Sequence, residues 1–310
     1  MINLVKADLY KESRKKRLYF VFILFCLFSV CFLYFVSKNL SSTRVFEPLD
    51  NNLELNLFNS ETDINLSRYY KYSDSVIVSK EILSETMYSK TRDIVSNSMP
   101  LYYLLGLVFT FFAYHSFSYE YMRGTTAWIF LSKYKRKDIL ISKVISLVIM
   151  LIIFVSVLNL LNMVFSSVFG NDNILLLTKT IYLNSRFIDV PLVFYLLFKS
   201  FIYMIPIIFM IVFSLMLTIY FKGKSISLFI CVFSYLFSNS IMHYLIKKNY
   251  TFVSMLPFGY IDFTYFEGNY YLLNNAIYNI DISLNKGILV LMFYFVLFSF
   301  LSVKFINRDV

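Results

Sequence analysis

Six stretches of this chain, each 18 to 22 residues long, carry almost no charge: 18–36, 100–117, 144–165, 201–221, 225–246 and 287–305. Five contain no Lys, Arg, Asp or Glu, and the sixth only Lys304. A helix needs about 20 apolar residues to cross a hydrocarbon core roughly 30 Å thick, and each run has that length. With 58% hydrophobic residues, 35 Phe and 26 Tyr in 310 residues, the chain has more apolar surface than a soluble fold of this size hides. The expected fold class is an all-α membrane protein with six transmembrane helices.

The basic segment Lys11–Arg17 before the first run imitates a signal peptide, but the run is 19 residues long and no small-x-small cleavage site follows. It reads as a retained anchor. Cys26, Cys31 and Cys231 all fall inside expected spans, where they are packing residues rather than a disulfide framework.

Charge sets the orientation. The terminal segments 1–17 and 306–310, with Lys304 and the loops 118–143 and 222–224, hold 16 Lys or Arg against five acids. The opposite side, 37–99, 166–190 and 247–286, holds 12 bases against 14 acids. The positive-inside rule therefore places both termini in the cytoplasm. The net charge of +10 is mainly this topological signal at an anionic leaflet, and nucleic-acid binding is not indicated.

Between the spans the chain changes character. In 1–17, Ile2, Val5 and Leu9 recur at helical spacing among charged residues, as in an amphipathic interfacial helix; a simply solvated basic tail is the alternative. The 63 residues 37–99 contain nine acids and seven bases and form a small extracytoplasmic insertion. Leu53, Leu55 and Leu57 alternate as in a strand, 75–78 suggests another, and 80–95 reads as a helix. An external loop spans 166–200. In 247–286, Phe258, Tyr260, Phe263, Tyr265, Phe266, Tyr270 and Tyr271 crowd together, while Pro257, Gly259 and Gly268 interrupt them. Broken helical turns at the outer interface are expected there.

Several chemistries lack their residues. No phosphate-loop motif is present among only seven glycines, so ATP hydrolysis by this chain is not expected and it is read as a non-enzyme. His115 and His243 lie on different spans without a second ligand nearby, so no metal site is expected. Lys199 stands just before the fourth span, where its long side chain can snorkel to the interface. The near absence of intramembrane carboxylates argues against an ion-coupled carrier.

The segment 118–143 has six bases and two acids. Residues 118–122 extend the second span, Gly124 terminates it, and Thr125 or Thr126 can cap a short helix over 127–134. Trp128 and its apolar neighbours give this elbow a greasy face, residues 133–137 give it a basic rim, and Asp138 suits the N-terminus of the third span. The pattern Glu120-x-x-x-Gly124-Thr125, then Leu131-Ser132, a basic cluster and Ile141-Ser142-Lys143, resembles the permeases of type-2 ATP-binding-cassette (ABC-2) exporters. The N-terminal interfacial helix, six spans, broken external helices between spans 5 and 6 and the end Phe305-Ile306-Asn307-Arg308-Asp309 are similar to that family as well.

The resemblance implies a half-transporter. Two permeases, identical or related, pair in the membrane above separate cytoplasmic ATPase subunits that hold ATP and Mg; no cofactor is bound by the permease. Carried to this sequence, Glu120, Arg123, Gly124, Thr125 and Trp128 form the ATPase-coupling elbow, with Lys133, Lys135 and Arg136 on its rim. A surface i,i+3 pair of Glu120 with Arg123 is the competing reading. Ser227, Cys231, Ser234 and Ser238 share one face of the fifth span. This face allows close helix packing or, as the resemblance implies, lines a substrate path or dimer interface opposite Tyr102, Tyr103, Phe109 and Phe112. Asn159 and Asn162 are expected as interhelical hydrogen-bond partners.

An apolar, aromatic path suits an amphipathic cargo such as a peptide, bacteriocin or lipid-like molecule, exported or expelled for self-protection. The wealth of Phe, Tyr, Ile, Asn and Lys fits an AT-rich bacterial genome. Two other classes stay open: a membrane sensor or scaffold using 37–99, and an intramembrane enzyme.

Overall fold

The computed structural model describes residues 2–14, 16–39, 91, 94–95, 98–125, 134–170, 173–183, 186–247, 251–261 and 284–308. Seven helices are described: α1 (Ile2–Ser13), α2 (Lys16–Asn39), α3 (Met99–Met122), α4 (Arg136–Phe169), α5 (Leu192–Tyr220), α6 (Ser225–Lys247) and α7 (Leu284–Arg308). Two 3-10 turns, Thr251–Met255 and Pro257–Tyr260, lie between α6 and α7. The proposed strands at 53–57 and 75–78 and most of the helix at 80–95 lie outside the described residues. Within that last segment Thr91, Ile94 and Val95 are helical and buried.

Among the described residues five helices are long and apolar enough to cross a membrane: Leu18–Lys38, Pro100–Met122, Arg136–Phe169, Leu192–Tyr220 and Asn285–Asn307. The chain is thus built as a multi-pass membrane protein. On the same measure α6 presents a shorter apolar stretch, Ser225–Ser238. Phe20, Leu27 and Phe35 on α2, and Leu289, Phe293 and Phe300 on α7, are exposed, a surface for hydrocarbon rather than water.

The helices run past the apolar windows. α4 is 34 residues long, about 51 Å at 1.5 Å per residue, and α5 begins at Leu192, inside the expected external loop. Lys199 interrupts the hydropathy but not the helix, because backbone hydrogen bonds are indifferent to one polar side chain. α5 is the centre of the bundle, with most of its apolar window buried. One core joins it to α2, α3 and α4 through Phe25, Leu105, Phe109, Phe154 and Ile207. A second joins it to α6, α7 and the 3-10 turns through Phe209, Phe213, Tyr235, Tyr260 and Leu291.

The all-α expectation needs one correction. Between α4 and α5 the chain forms an antiparallel hairpin of β1 (Thr178–Leu183) and β2 (Arg186–Pro191), registered from Thr178 opposite Pro191 to Leu183 opposite Arg186. β-Branched Thr178, Thr180, Ile181, Ile188 and Val190 favour the extended backbone. The amide of Leu192 then donates to the carbonyl of Leu177 at 2.8 Å, tying the hairpin base to the start of α5.

Candidate functional site

The buried face of α3 runs through Leu105, Phe109, Ala113 and Ser116, and its next step is Glu120. On α4 the buried face through Phe154, Met150 and Leu147 continues back to Lys143. Helical periodicity thus carries one carboxylate and one ammonium inward at the same end of the bundle. Their side chains are 3% and 5% exposed, and Lys143 Nζ lies 2.8 Å from Glu120 Oε1. Lys143 also donates to the Ser116 carbonyl at 3.0 Å and sits over the Phe117 ring.

Helix α1 closes the cluster. Lys11 Nζ reaches the same Glu120 oxygen at 2.7 Å with its side chain 46% exposed, and one turn earlier Asp8 accepts a hydrogen bond from the Ser142 hydroxyl. Burial alone would lower the Lys11 pKa, but the hydrogen bond and Coulomb attraction of Glu120, helped by Asp8 and Glu12, hold it above the ordinary value of 10.5. Glu120 Oε2 is buried and has no hydrogen-bond partner among the described residues. Three separate helices therefore meet at one carboxylate.

The other elbow residues face outward. α3 ends at Arg123 and Gly124, the latter at φ 66°, where a residue with a side chain is strained. The amides of Thr125 and Gly124 donate to the carbonyls of Glu120 and Tyr121 at 3.1 Å each, the paired bonds of a Schellman cap. Arg123 is exposed and stacks on Tyr119 at 4.1 Å, so the i,i+3 pair with Glu120 is replaced by a cation–π contact. Lys135 is the N-cap of α4, with Asp138 in the first turn. Arg136 donates to the Ile306 carbonyl at 3.1 Å, joining α4 to the end of α7. Trp128, Lys133 and the short helix expected up to residue 134 lie outside the described residues, except Tyr134, which forms a bend.

The residues assigned to a path divide between two packing interfaces. The Tyr102 hydroxyl donates to Asn159 Oδ1 at 2.7 Å and lies 2.9 Å from the Ser200 hydroxyl, linking α3, α4 and α5. Phe109 meets Phe112 and Phe154 edge to face. Tyr102 and Phe109 are fully buried and so face the interior of this single chain. Tyr103 instead faces α6: its hydroxyl donates to the Tyr235 carbonyl, and the Tyr235 hydroxyl donates to the Tyr103 carbonyl, both at 2.9 Å. Gly106 permits this approach, since a Cβ there would lie 2.1 Å from the Tyr235 hydroxyl oxygen.

On α6, Ser227, Ser234 and Ser238 donate to carbonyls three residues earlier, those of Lys224, Cys231 and Tyr235. Ser227, Cys231 and Ser238 are buried, the arrangement of a packing stripe. Asn159 meets the expectation of an interhelical partner, whereas the Asn162 amide is buried without a hydrogen-bond partner among the described residues. Lys199 does not snorkel to the surface: it is buried, 3.4 Å from the Val95 carbonyl and beside the Tyr195 and Tyr203 rings.

Among the described residues no group of three or more His, Cys, Asp or Glu could hold a metal ion. What sequence reasoning missed is the network around Glu120, namely Lys143, Lys11, Asp8 and Ser142. Extending the buried faces of α3 and α4 beyond the uncharged runs would have found its first pair.

A family model described as a protein of unknown function (DUF2705) matches residues 69–310. No curated protein matches the chain.

Proposed function

We propose, for a chain that belongs to the DUF2705 family of unknown function, the role of a permease subunit in an ATP-driven exporter of the ABC-2 kind. The observation that supports it best is the meeting of α1, the end of α3 and the start of α4 at Glu120. A force applied to the turn at Arg123–Thr125 would reach two apolar helices and the N-terminal helix together. The protein would cross the cell membrane six times, with α6 as the fifth span and both termini cytoplasmic. It would pair with a second permease copy or a related one and dock on separate ATPase subunits. An amphipathic peptide, bacteriocin or lipid-like cargo suits its aromatic interior, in export or in self-immunity.

Within this proposal Glu120 positions the elbow from inside the protein, while Arg123 is the exposed residue that would touch an ATPase. Charge reversal at Glu120 would break a buried pair and confuse folding with coupling. Arg123→Glu is therefore the informative variant. The expected result is a stoichiometric ATP-binding partner retained by the wild-type protein in detergent, with substrate-stimulated ATPase activity that Arg123→Glu lowers while membrane insertion is unchanged. Absence of any ATP-binding partner after purification from native membranes would overturn the proposal.

A further inference from the structure

Helix α1 sorts its charges by face. Asp8 and Glu12 are half-buried on the side toward the bundle, with Asp8 held by Ser142, and Leu9 packs against the main core. Lys11 is matched by Glu120. The outward side presents Lys6, Tyr10 and Arg14 at spacings of four, all exposed, with the Arg14 guanidinium 4.5 Å from the Tyr10 ring centre. Ile2, 73% exposed, extends the same side by one turn. The acids face the bundle with Lys11, and Lys6 and Arg14 are left outside.

The place of this face is set by the chain. Only residues 14 and 15 separate α1 from α2, whose apolar membrane stretch begins at Leu18. Arg14 stands four residues before Leu18, and Asp8 is held by Ser142 just ahead of the uncharged run 144–165, so the outward stripe lies near the hydrocarbon boundary, at the depth of lipid headgroups. A tyrosine between two bases suits that layer, with its ring toward the acyl region and its hydroxyl toward the phosphates. We infer that Lys6, Tyr10 and Arg14 form a binding surface for the anionic phospholipid headgroups of the leaflet that α1 meets. The inference needs no transport partner; it draws on the proposed orientation only in taking that leaflet as the anionic, cytoplasmic one.

Each base close to an anionic surface strengthens association roughly fivefold, so losing both should weaken it about 25-fold. The test uses the full chain in zwitterionic detergent, with Ala7→Cys carrying an environment-sensitive fluorophore and the three native cysteines replaced by Ser. It is titrated with short-chain phosphatidylglycerol or phosphatidylcholine. Preference for phosphatidylglycerol is expected, reduced 10- to 30-fold by Lys6→Gln with Arg14→Gln, kept by Lys6→Arg with Arg14→Lys, and weakened by salt. Equal affinity for the two lipids, or a preference that the Gln variant retains, would overturn the inference. So would loss of a co-purifying ATPase in the Gln variant with lipid preference intact, since the face would then belong to a protein partner. Both side chains are exposed, so unchanged melting temperatures are expected in every variant.

Discussion

Removing the ammonium of Lys143 while keeping its volume, as in Lys143→Met, strands a carboxylate that is 3% exposed. Its remaining cation, Lys11, is about half in solvent. Truncating one member of a buried ion pair costs about 3–5 kcal/mol, because the survivor stays desolvated and unmatched. Glu120→Gln should cost a similar amount by leaving the Lys143 ammonium buried among neutral groups, the Ser116 carbonyl and the Phe117 ring among them, with no counter-charge. The double variant should lose less than either single one, since a neutral pair has no stranded charge, and the coupling energy should exceed about 2 kcal/mol. Lys11→Met should cost less than about 1 kcal/mol, as expected of an ion pair open to water. The assay is denaturant unfolding of purified protein in detergent, followed by helical circular dichroism. Additive single effects, or a Lys11→Met penalty equal to that of Lys143→Met, would refute the assignment of the pair as a buried unit with Lys11 as its exchangeable third member.

Three further outcomes can be checked on the same material. Gly124→Ala should cost about 1 kcal/mol through its φ of 66°, as no atom of the described residues lies within 4 Å of the added Cβ; Gly124→Asn, which tolerates that backbone better, should cost less. Tyr102→Phe should lower stability by about 1 kcal/mol and combine non-additively with Asn159→Leu, because the two share the Ser200 hydroxyl. The bridge from α1 should depend on pH in a defined sense. The Lys11 pKa is raised in the folded state, so its contribution is complete below 10.5 and disappears as pH rises through the folded value. A probe on α1 should therefore report a docked helix throughout the neutral range, with docking weakened in alkali by no more than the Lys11→Met penalty, since Asp8 and Leu9 still hold the helix. Release on acidification near pH 8 would contradict the assignment.

The apolar runs were legible because burial in hydrocarbon writes itself into composition; five of the six lie wholly within a described helix, and the fourth overruns α5 by one residue, Phe221. The ends of the helices were not. Hydropathy stops at the first charge, so it halted at Phe117 and Val144, three residues short of Glu120 and one residue past Lys143. Helical phase, which does not stop there, places both on the buried faces of α3 and α4. The hairpin was missed for a related reason: Thr178–Leu183 and Arg186–Pro191 are too polar to register as spans, although two β-branched runs around Asn184-Ser185 carry a hairpin signal. Nothing in one-dimensional spacing could have paired Tyr103 with Tyr235, which lie 132 residues apart. Their meeting depends on which helices become neighbours.

That meeting has a mechanical consequence. The start of α3 is fastened to the middle of α6 by the two tyrosine-to-carbonyl bonds, and the last turns of α3 to the turn that opens α6 by the hydroxyls of Tyr114 and Ser118, both donating to the Gly223 carbonyl. Along α3 the two fastenings are separated by 11 to 15 residues, roughly 16–22 Å. Two rods joined at two well-separated points resist both sliding and scissoring, as a braced frame does. Any large rearrangement of the bundle should therefore carry α3 and α6 together as one beam, with the give falling at the joints around it: the turn after Met122 and the grip of α1 on Glu120.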